Sequence, residues 1–512
     1  MKNEFRAGVG KVDITCRAEG TQCELLSEKT KAHIPKEFWD KKIEIDDPLF
    51  VRALVLEYGD QKVVLITMDI TAVGCRSISQ YVLNDSADDF MPNLRGRILD
   101  ELDIPGSHVA VNASHTHPPG RLLVDDEEQL ERTMEAIGQA LQNMTPVTIG
   151  VGSGYEDRLT VNRTMMLKNG RDTTTRACQP PYPDEEIEGL RPIDPEIGIL
   201  RIDRPDGMPL AIVYNFAAHL LMGTHKTIIT ADWPGVASQY LEEHLGGDTM
   251  ALFVQGALGD TGEVANAELE HPKSCHGFGR TLGESTLKAY RKTKPSEPAL
   301  RAVSTTVEFP LRKDIPDVIA EKRRESTEFM ASMRYTSLNF KTFLPLYLKY
   351  TLHPEYPSHQ PFRYTHARQT GDLGFSAMDE RNRRAVDKYL ESLAAMEAMA
   401  RNEEDIATLE KQQEIIDDIG APTVPAEIQV IRIAESVLIT APMEILAETG
   451  LKIKKESPHK YTFIAAISNG HLHYAPPASY YPRGGYEVTE CLLAPEWEEI
   501  FETAVGELLT QV

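Results

Sequence analysis

The chain lacks the marks of several large protein classes. No stretch approaches the roughly 20 apolar residues that cross a bilayer, and the opening Met1-Lys2-Asn3-Glu4-Phe5-Arg6 holds no apolar signal core. Six cysteines (Cys16, Cys23, Cys75, Cys178, Cys275 and Cys491) are scattered over 512 residues without a CxxC pair. Such spacing gives neither a thiolate zinc site nor a disulfide framework, and leaves only a Cys16–Cys23 bridge open. Positive charge is in deficit, with a formal net charge of -24, which argues against nucleic acid and against an anionic membrane surface as main partners. There is no internal repeat of fixed period and no low-complexity tail. The expected location is cytoplasmic, or exported if a leader is missing from this sequence.

What is present is alternation. Apolar, β-branched runs over 51–58, 62–68, 108–113, 147–152, 199–202, 210–216 and 250–255 read as strands. Amphipathic runs over 127–143, 236–244 and 277–292 read as helices; in the first, Leu130, Met134, Ile137 and Leu141 recur at helical spacing. This predicts an α/β fold, a mixed β-sheet core with flanking helices. Between 314 and 419 charge dominates, with an aromatic, proline-rich piece at 343–364 and two exposed helices at 379–401 and 403–419. The expected division is a catalytic domain of 1–310 and 421–512, with 311–420 as a mainly helical insertion or lid. Strands return at 427–433, 436–440 and 461–467, and a helix closes the chain at 495–509.

Polar groups gather where apolar strands stop. His115-Thr116-His117 follows the strand at 108–113 and precedes Pro118-Pro119-Gly120. Two imidazoles two residues apart on an extended chain project from one face, and imidazole is the commonest metal ligand. A pair of surface histidines at a turn is the plain alternative. His219 ends the next apolar run, where a core or capping histidine is the commoner case. Asp232, in Ala231-Asp232-Trp233-Pro234, reads as a helix N-cap or as a carboxylate that orients a metal-bound imidazole. Gly256-Ala257-Leu258-Gly259-Asp260 is a glycine turn carrying an acid. Glu444 follows a proline break beside a helix start, and the loop His471-Leu472-His473-Tyr474 is dense in histidine and tyrosine for a connector. Two or three histidines with one carboxylate match the ligand set of a catalytic zinc centre.

In this order, the segments resemble the catalytic domain of the neutral, non-lysosomal ceramidases over roughly residues 6–509. Gly8-Val9-Gly10-Lys11-Val12-Asp13-Ile14-Thr15 is similar to the opening strand of that family, and His115-Thr116-His117 to its first metal segment. The resemblance implies a ceramidase-like fold holding zinc on His115, His219, Glu444 and Tyr474. It implies that His117 is the second histidine of the pair, that Arg163 contacts substrate, and that Tyr486 hydrogen-bonds the reacting carbonyl. One departure stands out. Where the family carries Gly-Asp-x-Ser, this chain reads Gly259-Asp260-Thr261-Gly262-Glu263.

The expected function is therefore zinc-dependent hydrolysis of an amide, or an ester, by a metal-activated water. His117 or Asp232 would move the proton, and Arg163 and Tyr486 would stabilise the oxyanion. The expected partner is a small-molecule or lipid-like amide, smaller or more polar than ceramide, with no nucleic acid and no membrane span. Two other readings stay open: a phosphoester or sulfate-ester hydrolase drawing on Asp69, Asp232 and Asp260, and a metal-binding homologue without turnover.

Overall fold

The computed structural model describes residues 4–15, 44–74, 86–117, 126–174, 180–222, 228–264, 275–355, 357–358 and 360–512. The proposed Cys16–Cys23 bridge and the Pro118-Pro119-Gly120 stop lie outside them. Cys275 and Cys491 are thiols.

Three sheets form the α/β core, and each repeats one topology. The first holds β1 (Arg6–Asp13), β2 (Phe50–Tyr58), β3 (Gln61–Met68) and β4 (Val109–Ala113). The second holds β5 (Thr148–Tyr155), β6 (Glu196–Asp203), β7 (Pro209–Phe216) and β8 (Met250–Gln255). The third holds β9 (Leu300–Pro310), β10 (Thr423–Ile433), β11 (Ser436–Ala441) and β12 (Tyr461–Ala466). In each, the first three strands run antiparallel and the fourth joins the third in parallel.

A parallel pair needs a crossover, and a helix supplies it each time: α1 (Phe90–Leu102), α2 (Asp232–Leu245) and α3 (Ala447–Glu456). Because the segments between first and second strands differ in length from copy to copy, the repetition has no period in the sequence.

Strands β2, β3, β7, β8 and β11 are buried on both faces. In β2, Val51, Ala53 and Val55 enter one core cluster while Leu54 and Leu56 enter another, the period-2 alternation of a strand covered on both sides. The second cluster draws on all three sheets, through Leu54, Leu65 and Ala110, Ile202 and Val254, and Leu438 and Phe463.

Three buried amide side chains tie the sheets at that junction. Asn112 donates to Ala466 O at 2.7 Å and accepts from Gln255 N at 2.9 Å. Gln255 Nε2 donates to Ser114 O and Ala218 O at 2.7 and 2.8 Å. Asn215 Nδ2 reaches Val254 O at 3.0 Å and Ile464 O at 2.8 Å.

The chain divides into two compact units. One comprises Met1–Thr174, Glu185–Arg312 and Ile415–Val512, and the other Thr175–Asp184 and Lys313–Glu414. The second contains helices Ile315–Ser332, Phe340–Leu352 and Pro361–Thr370. The two helices expected at 379–401 and 403–419 are one helix of 46 residues, Gly374–Ile419. No glycine or proline separates them. Buried Asn402 turns its amide toward Lys322 O and Ser326 Oγ on the neighbouring helix instead of competing for its own backbone. The aromatic piece at 343–364 is largely helical, because Asn339 and Thr342 form a capping box and Pro361 falls at a helix start.

Gln255 makes four buried hydrogen bonds, two donated and two accepted from Ala218 N and Gly256 N. Leaving such groups unpaired costs about 1–3 kcal/mol each, softened by relaxation. Gln255→Leu is expected to lower the free energy of unfolding in urea by about 3 kcal/mol; a change below about 1 kcal/mol would show that the junction is not held this way.

Candidate metal centre

The C-terminal ends of the three parallel pairs converge. In register, Met68 pairs with Ala113, Phe216 with Gln255 and Ala441 with Ala466. The third residue beyond Met68, Phe216 and Ala441 is Thr71, His219 and Glu444. Equivalent positions of the three copies thus feed one site, and His115 follows the end of β4.

The loops there are backbone outliers. His115, Asp232, Ile467, Asn469 and His473 have φ of 69°, 55°, 51°, 62° and 59°. Each costs on the order of 1 kcal/mol or more, most for β-branched Ile467. Main-chain bonds hold them: His115 N to Ile70 O at 2.9 Å, Ala113 N to Ile467 O at 3.1 Å, and Asn469 N to Val111 O at 2.9 Å. Glycine is required where chains nearly touch. A Cβ on Gly259 would lie 2.5 Å from Glu444 O, and one on Gly256 would lie 2.7 Å from Ala217 N.

His115 Nδ1 donates to Thr71 O at 2.9 Å, which orients the ring and turns Nε2 toward Glu444. That Nε2 lies 3.5 Å from Glu444 Oε2, and His219 Nδ1 lies 4.0 Å from the same oxygen. All three atoms are buried and none has a hydrogen bond. His117 Nδ1 donates to Leu220 O at 3.1 Å, and the ligand atoms of His115, His117 and His219 lie within 4.8 Å of one another.

Burial, then His115, pushes the His117 pKa down to about 3. Burial, then Arg163 and His115, holds His219 well below the usual imidazole range. Burial works against the Glu444 carboxylate, but His115, His471 and His219 hold it well below the usual range. At neutral pH the His117 and His219 imidazoles are thus uncharged, and Glu444 is an anion.

Tyr474 stands beside Glu444 on the next strand, since Glu444–Ile445 and Tyr474–Ala475 pair in parallel. Its hydroxyl accepts from Arg163 Nη2 at 3.0 Å. Burial, then the Glu444 charge and Tyr486, hold the phenol well above its ordinary pKa, opposed by Arg163. Arg163 also donates to Gly259 O at 2.8 Å and to Glu487 Oε1 at 2.9 Å. Tyr486 meets Tyr474 edge to face at 5.4 Å, and the guanidinium carbon of Arg163 lies 5.3 Å from the Tyr486 ring centroid.

The structure thus brings His115, His117, His219, Glu444, Tyr474, Arg163 and Tyr486 into one connected cluster. Asp232 is differently engaged. Its Oδ1 accepts from Trp233 N at 2.7 Å and from the Cys275 thiol at 3.3 Å. It is not the cap of its helix: Ala231 holds that position, and Asp232 is the first helical residue. Asp47, from a distant segment, instead accepts from Ala231 N at 2.7 Å and Thr230 Oγ1 at 2.5 Å.

The glycine turn supports the site from behind. Thr261 Oγ1 accepts from His219 N at 3.0 Å, and Glu263 Oε1 accepts from Leu221 N at 2.7 Å. Asp260 accepts from Asn162 Nδ2 at 2.7 Å and Ala447 N at 2.9 Å, so it spans the Arg163 and Glu444 loops.

Two members escaped sequence reasoning. His471 Nε2 donates to Glu444 Oε1 at 3.2 Å. Glu487 binds Arg163 and the hydroxyls of Thr164 and Thr174. The first stood in a conspicuous His-x-His-Tyr run. The second had no signal, because an acid beside a tyrosine in a loop is ordinary.

Two solved structures are similar in fold. Neutral ceramidase from Pseudomonas aeruginosa aligns with a TM-score of 0.61 at 14% identity, over 100% of this chain and 75% of that one. A ceramidase complexed with C2 aligns with a TM-score of 0.59 at 14% identity, over 99% and 75%. No family model and no curated protein sequence matches. The α/β architecture is thus one that neutral ceramidases share.

Burial raises the Asp260 pKa from 3.8 to about 6, against the bonds from Ala447 and Asn162. Between those values the folded form binds the extra proton, so this group's contribution to stability falls as pH rises. The stability of the native chain relative to Asp260→Asn is expected to drop by about 2–3 kcal/mol from pH 4 to pH 7 in urea unfolding. A difference that stays flat, or grows with pH, contradicts this.

Proposed function

We propose that this chain is a zinc-dependent amide hydrolase, with His115, His219, Glu444 and Tyr474 as the metal's protein ligands. The observation that carries the reading is the set of three buried, unbonded atoms, His115 Nε2, His219 Nδ1 and Glu444 Oε2, facing one another at 3.5 and 4.0 Å. Orphaned lone pairs around a carboxylate are costly unless a cation satisfies them. A set of imidazole nitrogen and carboxylate oxygen suits zinc. The ion, when bound, polarises a carbonyl oxygen and lowers the pKa of a water.

The remaining steps belong to side chains. His117, neutral through the physiological range, accepts the proton of the attacking water at Nε2 and returns it to the leaving amine. Arg163 fixes the Tyr474 hydroxyl, and its Nη1, which makes none of the three bonds described above, is assigned with Tyr486 to the developing oxyanion. The proton is assigned to His117 and not to Asp232, whose carboxylate is held by Trp233 and Cys275.

A single metal is favoured over a paired-metal esterase. Asp69 is bonded to Arg52 and Phe50 N at 2.9 Å each, and Asp260 to Asn162 and Ala447. We propose a linear N-acyl amide, smaller or more polar than ceramide, as substrate. Thr261 and Glu263, which stand where ceramidases carry their serine turn, are committed here to the His219 loop.

Metal analysis with a panel of short N-acyl amines, long-chain ceramide and phosphate and sulfate esters tests this. One zinc per chain and chelator-sensitive amide cleavage are expected. His115→Ala and His219→Ala should lose metal and turnover together, while His117→Ala keeps metal and loses kcat by about a hundredfold or more. Equal metal loss in all three variants would overturn the division of roles, and ester-only turnover would overturn the reaction class.

A further inference from the structure

The exposed large apolar side chains concentrate in the second unit. On the helix Phe340–Leu352, Phe340, Leu344, Leu348 and Leu352 are 64%, 39%, 47% and 69% exposed. Their spacing of four places them in one slanting stripe. The opposite side of the helix is anchored, with Phe343 and Tyr350 buried and Phe343 stacked on Tyr389 at 4.2 Å. Tyr335, Phe362 and Leu373, outside this helix but in the same unit, are 90%, 65% and 75% exposed. A contiguous exposed apolar stripe on a folded chain marks something it docks against.

Charge identifies the partner. Residues 329–371 carry Arg334, Lys341, Lys349, Arg363 and Arg368 against one acid, Glu355, a net of +4 in a chain of net -24. Arg334, Lys341, Lys349 and Arg363 form no salt bridge among the described residues. A second copy is disfavoured as occupant, because a two-fold contact would set this basic stripe against itself. An apolar helix face with lysines and aromatics at its margin has the composition of a helix lying in a bilayer interface. No helix of the described residues is long and apolar enough to cross a membrane.

We infer that the helix Phe340–Leu352 and its basic surroundings dock the chain on an anionic lipid surface, with Phe340, Leu344, Leu348 and Leu352 entering the interface and Lys341 and Lys349 facing headgroups. The whole-chain charge speaks against such a surface; its distribution reverses that expectation. The inference does not depend on the metal centre, and its test reads the two separately.

Flotation of the full chain with vesicles of phosphatidylcholine alone, and of phosphatidylcholine with one-quarter phosphatidylglycerol, supplies the measurement. Binding at least tenfold tighter to the anionic vesicles is expected, and weaker in high salt. Lys341→Glu with Lys349→Glu should cost well over tenfold on anionic vesicles, since each basic residue near such a surface contributes about fivefold. Leu344→Ser with Leu348→Ser should lose binding by at least tenfold, with circular dichroism and turnover of a soluble short-chain substrate unchanged. No preference for anionic vesicles, or binding indifferent to both double substitutions, would overturn the inference. So would a dimer in sedimentation that the leucine substitutions dissociate without any vesicle binding.

Discussion

Everything in the larger unit depends on where three parallel strand pairs end. Each sheet carries its third and fourth strands to the same point, and the amides of Asn112, Asn215 and Gln255 lock the strands there by bonding to carbonyls of neighbouring sheets and of the loops that follow them. Without those bonds the ends of β4, β7 and β11 would have no fixed separation. His115, His219 and Glu444 would then lose their mutual geometry. The facing atoms of His115, His219 and Glu444 are buried beside this junction.

The threefold use of one topology explains a division of labour. Position for position, the three copies offer the Thr71 carbonyl, the His219 imidazole and the Glu444 carboxylate. In the proposed centre, one copy orients a ligand and two supply one. The loops that reach the centre run through left-handed backbone at His115, Ile467 and His473. The strain is held by main-chain bonds from the strands themselves, which suits a site set on rigid elements. Behind it, Thr261, Glu263 and Asp260 accept from the backbone N–H groups of His219, Leu221 and Ala447, in the loops that carry His219 and Glu444.

Strands β2, β3, β7, β8 and β11 were legible in the sequence, because both of their faces are apolar. The strand-end histidines were legible for the same reason: a polar side chain directly after an apolar run is conspicuous. The repeated topology was hidden, since insertions of unequal length erase any period. The single helix Gly374–Ile419 was hidden too, since Asn402 looks like a break until its partner helix is known. The Cys275–Asp232 contact, the Ala231–Asp47 bond and the Glu487–Arg163 bond join residues far apart in the chain, and no local pattern encodes them. Whole-chain charge hid the basic stretch at 329–371 by averaging it away.

The central claim is that His115 Nε2, His219 Nδ1 and Glu444 Oε2 are unbonded because a cation belongs between them. Anomalous diffraction at the zinc edge, from crystals of protein purified without added chelator, tests it most directly. The account predicts one peak about 2.0–2.2 Å from those three atoms, with the Tyr474 hydroxyl as the next protein neighbour. A map with no peak there, and with either imidazole hydrogen-bonded directly to Glu444 at about 2.8 Å, would contradict it.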